Sequence, residues 1–131
     1  MRKLFLYFVA IISVLGLFSF KSETELKTGI ASCYHDKFHG RRTACGEIYD
    51  KNKLTTAHKS LPFGTMVMIR NIKTGDSVIV KVNDRGPFHK TRTFDLSKAA
   101  FLKIGDLRTG PIPVEYKILE KENEFSESIL S

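Results

Sequence analysis

The stretch TMVMIRNIKTGDSVIVKVNDRGPF, Thr65 to Phe88, decides the fold. Its two apolar halves, TMVMIRN and SVIVKVN, read as strands. Val78, Val80 and Val82 fall on one face of the second, and Ile79 and Lys81 on the other. IKTGD between them supplies a glycine turn, so the pair is expected to form a hairpin. The second strand runs into NDRGPF, an aspartate beside an arginine and a glycine–proline break. If the alternation continues, Asp84 lands on the valine side, where a carboxylate is costly unless paired. Arg85 or Arg92 offers a partner, or burial holds the group partly protonated, the state a general acid needs. The same residues also suit a turn in which Asp84 accepts from nearby backbone N–H groups. Both readings stand at this point.

Working outward, TGIASCY is short, small and compatible with a strand. GPIPVEYKIL alternates Ile112, Val114, Tyr116 and Ile118 against Pro113, Glu115 and Lys117, and its prolines place its start at a sheet edge or a bulge. One helix is expected over KAAFLKI, with Ser97 as N-cap and Gly105 as its end. Leu96, Ala100 and Ile104 share its apolar stripe. Short strands, one small helix and glycine-rich links indicate a mainly-β chain folded as a small barrel.

The chain has 131 residues, the length of one domain. Arg2 and Lys3 precede an almost unbroken apolar run from Leu4 to Phe20, the pattern of a secretory signal. Residues 1–22 are therefore read as a signal peptide, with an uncleaved membrane anchor as the alternative, and residues 23–26 as a spacer. The domain is expected over 27–119, and 120–131 is a charged flexible tail. The domain carries 17 basic against 8 acidic residues. In an exported protein this balance suits an anionic polymer such as a cell wall or membrane surface, and export argues against nucleic acid. An oxidising compartment favours a disulfide between Cys33 and Cys45. Two rivals remain: a zinc set of Cys33, His35, His39 and Cys45, and free thiols.

Three polar clusters lie where strands meet loops: GRRTACGEIYD with Glu47, LTTAHKSLPFGT with His58, and VNDRGPF followed by RTFDLS with Asp95. Asp95 precedes a helix start, so capping competes with chemistry there. Glu47, His58 and Asp84 would together suit an acid–base site on a sugar, but sequence spacing alone does not bring them together.

The ordered motifs TAxGE, LTxAHKxLPxG, NDRGPF and DLSxAA, spread over about Thr28 to Leu119, resemble the RlpA family of peptidoglycan lytic transglycosylases. The resemblance implies a six-stranded double-psi β-barrel with one or two short helices, also seen in expansins. It implies cleavage of the β-1,4 bond between N-acetylmuramic acid and N-acetylglucosamine without water, leaving 1,6-anhydro ends, on glycan strands short of stem peptides. It calls for no cofactor and no metal. It also implies an exported monomer of the periplasm or cell envelope, touching the membrane only through an uncleaved N-terminal segment. By this resemblance Asp84 is the general acid and base, and His58 and Glu47 orient substrate or tune it. Asp95, Arg85, Tyr34, Phe38 and Thr43 take supporting or substrate-binding places. Cys33 stands where relatives often have an aromatic, and Cys45 where they often have Asn or Ser. The paired change favours a bond between them and leaves Tyr34 and Phe38 to stack on sugar. The alternative is a non-catalytic, expansin-like module that grips or loosens the wall, and a weaker one is a basic secreted protein that targets other proteins.

Overall fold

A computed structural model describes residues 25–121. The signal peptide, half of the spacer and nearly all of the charged tail expected from the sequence lie outside these residues. The fold is a closed barrel of six strands: β1 (Lys27–Cys33), β2 (Thr55–Ala57), β3 (Thr65–Asn71), β4 (Ser77–Asp84), β5 (Phe94–Leu96) and β6 (Ile112–Lys121). The strands run β1-β5-β2-β4-β3-β6 around the barrel. β1 pairs with β5 and β2 with β4 in parallel, and the remaining pairs are antiparallel. This is the double-psi β-barrel expected from the sequence.

The β3–β4 hairpin forms as read, closing through Asn71 N to Asp76 O at 2.8 Å. Helix α1 (Lys98–Ile104) also matches, with the Ser97 hydroxyl accepting from Ala100 N. Leu96, Ala100 and Ile104 are buried, and Phe101 joins them. Val67, Ile69, Val78, Val80, Val82, Phe94 and Val114 fill the interior from the strands. Asn71, itself buried, donates from Nδ2 to Ile104 O at 2.7 Å and so ties the hairpin to the end of α1.

Two sequence expectations change. Pro113 does not sit on a free edge, because the barrel has none. It faces Ile30 of β1, and its carbonyl accepts from Ile72 N just past the end of β3. Its missing N–H is tolerated because the β3 ladder has already stopped there. Secondly, the alternation of β4 does not reach Asp84. β2 pairs Thr56 with Val82 and Ala57 with Asp84, skipping Asn83. This bulge buries Val82 and Asn83 in succession and leaves Asp84 half-buried at the barrel mouth.

One glycine is required by close approach. A Cβ on Gly29 would lie 2.5 Å from Thr93 Oγ1. The bare backbone there lets Thr93 lock β1, donating from its N to Ile30 O at 2.8 Å and accepting on Oγ1 from Ile30 N at 3.2 Å. Thr93 leads directly into β5, so the contact sets where that short strand lies.

Candidate active site

A half-open cavity of about 650 Å³ lies at the barrel mouth. Asp84, at the end of β4, reaches its wall. Asp84 Oδ1 accepts from Ala44 N at 2.9 Å and from Arg85 N at 2.8 Å, and Oδ2 accepts from the Tyr34 hydroxyl. The turn reading of Asp84 is seen in Oδ1, which clasps backbone, while Oδ2 meets a phenol in the cavity. The guanidinium groups expected to pair with it do not. Arg85 turns its Nη1 to Leu61 O at 2.8 Å and His58 O at 3.4 Å, and its guanidinium lies 4.0 Å from the centre of the Phe63 ring. Gly86, at φ +129°, turns the chain away after Arg85.

Tyr34 follows β1 and is held by rings. It packs at 4.6 Å on Tyr49 and edge-on to Phe38 at 5.9 Å. Tyr49 is buried, and its hydroxyl accepts from Lys98 N at the start of α1. Burial, followed by the hydrogen bond to Asp84, pushes the Tyr34 phenol far above its ordinary pKa, so it remains a neutral hydroxyl. Tyr34 and Phe38 both line the cavity.

Asp95, in β5, also lines the cavity. Its carboxylate accepts from the Ser32 hydroxyl, and the helix cap is Ser97, so the capping reading of Asp95 is set aside.

The other expected residues stand away from the cavity wall. His58 lies behind Asp84: its backbone N donates to Asp84 O at 3.1 Å. Its Nδ1 accepts from Ser60 N at 3.1 Å and Leu61 N at 3.0 Å, which places the neutral ring's proton on Nε2. Burial and then the Arg85 charge hold its pKa below the ordinary histidine value. Glu47 pairs with Lys81 Nζ at 3.3 Å on the barrel flank. Thr43 is buried and holds the turn to Glu47, with its N and Oγ1 each donating to Glu47 O at 2.7 Å.

The expected Cys33–Cys45 disulfide is not formed; both are free thiols. Cys33 Sγ turns to Tyr34 O, whereas Cys45 Sγ turns to Glu47 Oε1 and Thr43 Oγ1. Nor do the cysteines and histidines of this loop gather into a zinc set. His35 Nδ1 accepts from Lys37 N and His39 Nδ1 from Lys51 N. Among the described residues no group of three or more His, Cys, Asp or Glu is arranged to hold a metal ion.

Sequence reasoning missed several wall residues. Arg41 and Arg42 line the cavity, as does Arg92, read from the sequence only as a partner for Asp84, and Phe88 stands at its rim with 96% of its surface exposed. The adjacent arginines of HGRRTACGE were visible, but only the folded loop shows that they face Asp84's cavity.

Comparison with known proteins agrees with this architecture. A family model described as lytic transglycolase matches residues 26–116. The endolytic peptidoglycan transglycosylase RlpA of Neisseria meningitidis is 53% identical over 89 residues, covering 68% of this chain and 37% of that protein. The probable endolytic peptidoglycan transglycosylase RlpA of Aquifex aeolicus is 50% identical over 91 residues, covering 70% of this chain and 40% of that protein. The chain therefore spans well under half the length of these curated relatives. The Streptomyces papain inhibitor superposes with a TM-score of 0.61 at 25% identity, covering 73% of this chain and 96% of that one. A Clavibacter michiganensis expansin mutant in complex with cellohexaose also gives 0.61, at 22% identity over 73% of this chain and 51% of that one, a likeness of fold alone. With its barrel residues covered by the family model and its sequence this similar to the RlpA proteins, the chain belongs to the lytic transglycolase family.

Proposed function

We propose that this protein is an exported lytic transglycosylase of the cell envelope. It cleaves the β-1,4 bond between N-acetylmuramic acid and N-acetylglucosamine in peptidoglycan strands lacking stem peptides, and it works as a monomer. The observation that carries this reading is the Asp84 carboxyl in the wall of the cavity, hydrogen-bonded to a neutral phenol. Asp84 donates a proton to the glycosidic oxygen as the bond to muramoyl C1 breaks. The resulting carboxylate then takes the proton of the muramoyl 6-hydroxyl as O6 bonds to C1, closing the anhydro ring. No water is consumed, and the acid is restored. The Tyr34 hydroxyl serves both states, because a hydroxyl rotates to donate to a carboxylate or accept from a carboxylic acid. His58 and Arg85 act from behind, fixing the backbone on which the carboxyl sits.

The test is incubation of the purified protein with peptide-free glycan strands and mass spectrometry for 1,6-anhydro-muramoyl ends. Asp84→Asn is expected to lower product formation by about 100-fold or more while binding persists. Full turnover in that variant would remove Asp84 from the role.

A second reading is a non-catalytic module that grips wall glycan in the same cavity. The position of Glu47 favours it, since the carboxylate expected to assist Asp84 is paired on the barrel flank instead. Binding without any anhydro product, on several wall preparations, would select it.

A further inference from the structure

The cavity holds more positive charge than Asp84 and Asp95 use. Neither aspartate pairs with a guanidinium: Asp84 accepts from a phenol and two backbone N–H groups, and Asp95 from Ser32. Arg85 is spent on two backbone carbonyls and the Phe63 ring. That leaves three arginines on the wall without an ion pair among the described residues. Arg41 lies 5.6 Å from the centre of the Phe38 ring, and Arg42 donates to Gly46 O at 3.0 Å. Arg92 reaches Ser32 Oγ at 3.4 Å, and its Nε is buried with no hydrogen-bond partner. A buried guanidinium N–H without an acceptor is costly, and the residue that carries it lines the cavity. The wall is thus short of negative charge and of acceptors beside two aromatic rings, Tyr34 and Phe38.

From this we infer that Arg41, Arg42 and Arg92 form a carboxylate subsite that reads the sugar being cleaved. This rests on the proposed glycan substrate. Each muramoyl residue carries a lactyl ether whose carboxyl group is free and anionic when no peptide is attached, and is a neutral amide when one is. The planar guanidinium fork suits a carboxylate, and rings beside it suit the saccharide face. The subsite would therefore make the absence of a peptide a positive recognition feature, read by charge as well as by room.

The ligand pair that tests it is the disaccharide N-acetylglucosaminyl-N-acetylmuramic acid and its lactyl methyl ester, titrated into the full chain at low ionic strength by NMR or calorimetry. The free acid is expected to bind about tenfold or more tightly than the ester. The gap should shrink severalfold in Arg41→Gln and Arg42→Gln, whose side chains are exposed and whose loss leaves the barrel core untouched. It should shrink most in Arg92→Gln. Equal affinity for acid and ester, or a gap unchanged in all three variants, overturns the subsite. Competition by inorganic phosphate as strong as that of the sugar acid overturns it too, marking a general anion site. Turnover is scored separately. A protein that makes no anhydro product yet still prefers the acid keeps the subsite and loses the enzymatic reading. One that cleaves acid and ester strands alike keeps the enzyme and loses the subsite.

Discussion

Tyr34 and Asp84 share the hydrogen bond on which the proposed chemistry turns, and each can be altered alone. Tyr34→Phe keeps the ring contacts with Tyr49 and Phe38 but removes the hydroxyl. Product formation is expected to fall about tenfold, in keeping with one charge-assisted hydrogen bond, with the melting temperature little changed. Cys33 offers a second residue-scale test. Burial, and then the nearby Asp36 carboxylate, push its thiol up to about 11. At pH 8 it stays a thiol, so iodoacetamide should label Cys33 slowly in the folded protein and quickly in denaturant. Intact mass with and without reductant should agree, and a 2 Da difference would show the disulfide that the structure does not form. His58 contributes a pH effect on stability. Its folded pKa is depressed, so the unfolded chain binds the proton more readily. The favourable term is complete above about pH 6.5, the unfolded value, and is lost as pH falls from there toward the lower folded value. His58→Gln should flatten that part of a pH–melting curve.

At the scale of elements, the best readings in the sequence were the longest ones. The β3–β4 hairpin and α1 could be located because seven or eight residues of alternation, or a cap with a stripe, repeat a signal enough times to be read. β2 and β5 are three residues each, too short for any period, and their sequences looked like the polar loops around them. Their strand state comes from partners far away in the chain: β2 lies between β4 and β5, and β5 between β1 and β2. The place of Asp84 was legible because it ends a readable strand. The roles expected of Glu47 and Thr43 were not, because the loop that carries them is placed by Asn83 and by their own turn. Ser97 joins these elements: its hydroxyl accepts from Ala100 N and Thr55 N and donates to Lys53 O. Ser97→Ala is therefore expected to cost more than a surface cap, about 2 kcal/mol in denaturant unfolding.

For the whole molecule, a closed barrel leaves its six strands without a free edge, and the cavity lined by Asp84 opens at one mouth. The excess of basic residues over the domain adds a long-range attraction to an anionic polymer. Binding to peptide-free glycan is expected to weaken as salt rises from about 0.05 to 0.5 M, as the Debye length shrinks, while the cleavage pattern stays the same.

The bulge at Asn83 makes the position of the acid a matter of counting rather than of composition. One residue inserted between Thr56 and Ala57 would give Asn83 a partner and let the ladder run true. The carboxyl would then follow Val82 into the oily interior. A change in a strand that lends nothing to the cleft would empty it of the proposed acid, with Asp84 still present in the sequence.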